Sequence, residues 1–159
     1  MDVSEWYRQF FAMKKALFAG SPDTVQQARA FYETIVGDPA IVRLTVALRL
    51  PVTEGGQDWP FEVADPDRLS EFLDAYEQGF LDEQERYHLM ELIVASLEEY
   101  LQCQAGDPVL LARFRTHFTD SFEAHRDMAE YLAGVGTAGG GHFAITPLMR
   151  QIWEQQQAK

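Results

Sequence analysis

Apolar residues recur every three or four positions along most of this chain, and short polar marks separate the runs. Trp6, Phe10, Met13 and Leu17 follow one face, as do Val25, Ala28, Phe31, Tyr32 and Ile35. Leu69, Phe72, Leu73 and Tyr76 make a tighter stripe, and Leu89, Met90, Ile93, Val94, Leu97 and Tyr100 a longer one. That period is helical, since residues three and four apart share a face. Between 108 and 133 the positions Leu111, Phe114, Phe118, Phe122, His125, Met128 and Leu132 keep the spacing. They fit either one long helix or two broken near Thr119-Asp120, where Asp120 and Glu123 offer a capping box. A closing helix carries Leu148, Met149, Ile152 and Trp153.

The marks between runs have a physical meaning. Ser21-Pro22, Asp38-Pro39, Asp65-Pro66, Asp107-Pro108 and Thr146-Pro147 each place a capping oxygen before a proline. The oxygen accepts an orphan backbone N–H, and proline at the first helical position loses no hydrogen bond. Gly20 and Gly37 suit the left-handed residue that ends a helix, Gly79 closes another, and Asp82 with Glu85 forms a capping box for the next. The expectation is a mainly α fold: one helical domain over 1–159, of six to eight helices, with a flexible Gly-rich connector over 134–141.

Residues 42–63 read two ways. Asp38-Pro39 announces a helix, yet from Val42 to Leu50 the even positions are all apolar, the alternation of a strand. Glu54-Gly55-Gly56 offers a turn into a second strand at Phe61–Val63. The cap favours a buried helix; a small β-hairpin within 42–63 is the alternative.

Composition adds little until charge is placed. The length, 159 residues, suits one core, and 47% apolar residues are ample to fill it. The net charge of −12 is concentrated: residues 54–99 hold fourteen Asp and Glu against Arg68 and Arg86 alone, and the remainder balances. Asp67, Glu71, Asp74 and Glu77 lie opposite the Leu69/Phe72/Leu73/Tyr76 stripe. Asp82, Glu83 and Glu85 follow at the turn. The next helix has a polar arc of Glu85, His88, Glu91, Ser96, Glu98 and Glu99 around Leu92. Such a face is either plain solvation or a docking surface for a basic protein, with Leu92 an apolar anchor or a residue packed beneath the hairpin. Nucleic acid and anionic membranes are disfavoured partners, because both are bound by Lys and Arg.

Catalytic patterns do not stand out. Glu85-x-x-His88 has the spacing of a carboxylate-bridged metal pair, but the second such pair is missing. His117 and His125 lie eight apart, nearly on one helical face and close to Asp120 and Glu123, where a satisfied core or rim histidine fits better than a ligand. Gly134 to Gly141 lacks the Gly-Lys-Ser/Thr ending of a phosphate loop. Cys103 is a lone thiol with no cation close in sequence to activate it, and it argues against a disulfide-stapled fold. No catalytic residue, cofactor or metal is expected. No basic start leads into an apolar stretch and no apolar run approaches a membrane span, so a cytoplasmic protein without a signal peptide is expected.

Phe80 to Tyr100, with Asp82, Glu85, Leu89, Met90, Glu91, Leu92, Ile93, Ala95 and Ser96, resembles small helical bacterial immunity or antitoxin proteins. The tail Phe143-Ala144-Ile145-Thr146-Pro147-Leu148-Met149-Arg150 is similar to one seen in the same group. That resemblance implies a stoichiometric inhibitor that plugs a basic toxin or effector, such as a nuclease or nucleotide-binding enzyme. The competing expectation is a helical adaptor or scaffold subunit whose acids serve only solubility.

Overall fold

The computed structural model describes residues 38–53, 56–78, 81–136 and 141–159. The chain divides into two compact units, Met1–Gln57 and Asp58–Lys159. The first two apolar runs, Ser21-Pro22, Gly20, Gly37 and Gly79 lie outside the described residues.

In the first unit, helix α1 spans Pro39–Ala47. The Asp38 carboxylate accepts the Ala40 N–H at 2.9 Å, the cap that the Asp-Pro pair announces. The β-hairpin alternative does not hold: the described residues of 42–63 contain no strand. Ile41, Leu44, Thr45 and Leu48 are buried while Val46 is exposed, a spacing of three and four rather than two. Alternation at 42, 44 and 46 arises because α1 is apolar on more than one side. Arg49 takes a left-handed φ of 53°, and the Leu50 N–H donates back to the Thr45 carbonyl, closing the helix as glycine more often does.

The regular structure of the second unit is helical among the described residues. One-turn helix α2 (Trp59–Glu62) occupies the place of the second strand in the hairpin alternative. A 3₁₀ turn, Pro66–Arg68, leads into α3 (Leu69–Glu77), and α4 (Glu83–Cys103) follows. Next come α5 (Pro108–Asp120), a 3₁₀ turn Phe122–His125, α6 (Arg126–Ala133) and α7 (Thr146–Gln157). No strand occurs among the described residues.

Caps explain most of these boundaries. Asp65, Asp82 and Asp107 accept backbone N–H groups of Asp67, Glu85 and Val109 at 3.0, 2.8 and 2.7 Å. Gly134, at a φ of 73°, ends α6 in the left-handed conformation. Thr146 departs from the pattern. It is the first residue of α7 rather than its cap, and its buried hydroxyl donates to the Leu132 carbonyl at 2.8 Å while accepting the Phe143 N–H.

The 108–133 region is two helices, joined by the 3₁₀ turn after Asp120. Glu123 turns to Arg126 instead of forming a capping box. Helix α4 is the central element: α2, α3 and both 3₁₀ turns pack on it, and α6 packs on α7. From Leu89 to Leu97 only Glu91 is not buried. Ser96, expected in a polar arc, is buried and accepts the Asp65 N–H at 3.1 Å, tying the first 3₁₀ turn to α4.

Candidate functional site

The acidic residues divide into those already engaged and those open to solvent. On α3 the stripe Leu69, Phe72, Leu73 and Tyr76 is buried, so Glu71, Asp74 and Glu77 face outward, as does Asp67 of the preceding 3₁₀ turn. Three of these four have partners. Arg68 forks onto Glu71 through Nε at 2.8 Å and Nη2 at 2.6 Å, with its guanidinium over the Phe72 ring. Arg113 of α5 donates to Asp74 and Glu77 through Nη2, at 2.5 and 2.9 Å, and to the Ser70 hydroxyl through Nη1. His117 Nε2 lies 2.8 Å from the same Glu77 oxygen. The hydrogen bonds from His117 and Arg113 hold the Glu77 carboxyl below the usual carboxylate range. Asp67 is exposed, with no ion pair among the described residues.

Asp82 is used as the α4 cap, Glu83 is exposed, and Glu85 is half-buried one turn along. His88 is half-buried: Nδ1 sits 2.8 Å from Glu91 Oε2, and the ring meets Trp59 edge-on at 6.2 Å. Among the described residues no group of three or more His, Cys, Asp or Glu is placed to hold a metal. Cys103 is exposed and free. No described helix is long and apolar enough to cross a membrane.

Leu92 requires a correction. It is fully buried, packed inward like its neighbours on α4, so it is no exposed anchor among the acids. A nearly all-round apolar run from 89 to 97 gives one periodic face no priority, and this is why its orientation was open in the sequence.

Two residues gain importance that spacing did not reveal. Glu98 accepts the Ala144 and Ile145 N–H groups at 2.9 and 2.8 Å and the Gln102 side-chain amide at 2.9 Å. A carboxylate there complements the positive end of α7. Phe61 is the other: 65% exposed on α2, between buried Trp59 and Pro60 on one side and buried Val63 on the other. Trp59-Pro60-Phe61 is visible in the sequence, but in the hairpin alternative Phe61 is only a strand residue and carries no special exposure. Comparisons with family models, curated proteins and solved structures give no match.

Proposed function

We propose that this chain is a non-enzymatic, cytoplasmic protein-binding inhibitor of the immunity or antitoxin type, neutralising a basic toxin or effector. One observation carries the reading: fourteen acids against two arginines between 54 and 99, with the α3 acids along an exposed face. Concentrated charge of one sign lowers stability through self-repulsion, and steering a basic partner is a use that offsets that cost. Asp67 and Glu83 are the most available of the expected site residues, while Asp82, Glu85 and His88 share the first turns of α4 with Glu83; Leu92 supports the hairpin from within.

The second reading, an adaptor or scaffold subunit, draws support from Arg113 and His117, which engage the exposed Asp74 and Glu77 in ion pairs within the chain. The two readings differ in consequence. A partner recovered by pull-down and mass spectrometry should lose its activity at one equivalent of this chain if the first holds, and keep it if the second does. With that partner in hand, Asp67→Lys with Glu83→Lys should slow association about tenfold at low salt, and less as salt rises. Association unchanged by the reversal would remove the acidic surface from the binding mechanism.

A further inference from the structure

We infer that Phe61 on α2 is the apolar anchor of the docking surface, and that its occupant is a basic protein surface carrying an apolar pocket. This deepens the protein-binding reading and rests on it. The Phe61 and Glu62 N–H groups both donate to the Asp58 carbonyl, at 3.0 and 3.1 Å, so Asp58, Phe61 and Glu62 share one side of a single helical turn. Asp58 and Glu62 are exposed, and neither forms an ion pair among the described residues. Asp65 and Asp67 follow, and no Lys or Arg occurs from 58 to 67.

The turn is held firmly from beneath. Trp59 and Val63 are buried, and Pro60 fixes its own φ. An aromatic projecting from a fixed backbone loses little conformational freedom on binding, which is the character of an interface hot spot. Charge then selects the occupant. A second copy of this chain would bring the same carboxylates against Asp58 and Glu62, and an anionic lipid surface would meet the same repulsion. A surface rich in Lys and Arg around an apolar recess satisfies both the ring and the acids.

Two synthetic peptides of equal positive charge test this, one of Lys and Ser only, the other with Leu interspersed among the Lys. Binding is measured at low salt by fluorescence anisotropy, with circular dichroism verifying that each variant is folded. The Leu-bearing peptide should bind the chain more tightly, and Phe61→Ala should weaken that binding about tenfold while leaving the Lys/Ser peptide unaffected. Val109→Ser removes another exposed apolar residue, 67% exposed, and should change neither affinity. If both peptides bind equally and Phe61→Ala is silent, the anchor is wrong while the acidic surface stands. If neither peptide binds, the anchor and the acidic docking surface fall together.

Discussion

His125 is fully buried at the end of the second 3₁₀ turn. Its Nε2 lies 3.0 Å from the Tyr76 hydroxyl, Nδ1 has no hydrogen-bond partner, and the Phe118 and Tyr87 rings flank it at 5.7 and 5.9 Å. Burial, reinforced by the charge of Arg86, lowers its pKa from 6.5 to about 4. The folded chain therefore holds His125 neutral where the unfolded chain binds a proton. Stability from this group is present above the unfolded value and drains away as pH falls from about 6.5 to about 4, by roughly 3 kcal/mol in all. His125→Phe should flatten that part of the profile, although it leaves the Tyr76 hydroxyl unpartnered and lowers stability at pH 7. Urea unfolding of both proteins at pH 7 and pH 4.5 measures the difference; equal slopes would show that His125 is not the group being titrated. Its place on an apolar face was legible in the sequence. That only one of its two nitrogens is satisfied depends on Tyr76, a contact 49 residues away, which no spacing rule contains.

Among elements, α7 is held by side chains rather than by burial alone. Met149 and Ile152 are buried, and Arg150 Nε donates to the Ala133 carbonyl at 2.9 Å. Glu98 takes the two N–H groups leading into the helix. Glu98→Ala should cost about 1–3 kcal/mol, because two charge-assisted hydrogen bonds are lost and the part-buried Ile145 N–H is left unpaired. Chemical denaturation reads this directly, and a change within error would demote Glu98 to a solvated acid. Element starts were the most readable feature: Asp38, Asp65, Asp82 and Asp107 all cap as their sequence context implies. Thr146 fails that rule because the Leu132 carbonyl claims its hydroxyl. The strand reading of 42–63 fails because α1 is apolar on several sides and α2 is a single turn, too short to show a period.

For the whole molecule, charge total and charge placement have different consequences. Glu77 is paired across to α5, whereas Glu99 is exposed near the C-terminal end of α4 with no ion pair among the described residues. Acids at a helix C-terminus oppose its dipole. Glu99→Lys should hold or raise the melting temperature at low salt, and Glu77→Lys should lower it by a few degrees, with both effects shrinking in concentrated salt. Equal responses would mean that only the net charge matters. The clustering of acids between 54 and 99 was plain in the sequence. Their division into engaged and open groups was not, because Arg113 and His117 reach Glu77 across 36 and 40 residues.

The grip of Glu98 on Ala144 and Ile145 also changes how the chain between them is regarded. With Thr146 bonded to Leu132 and Arg150 to Ala133, α7 is fastened to α4 and α6 independently of the covalent path through Gly134–Gly141. Fastening of this kind does not depend on how many residues separate the two helices, and each doubling of a loop adds only about 0.6 kcal/mol of closure entropy. Residues added between Gly136 and Gly141 should therefore leave the last helix seated.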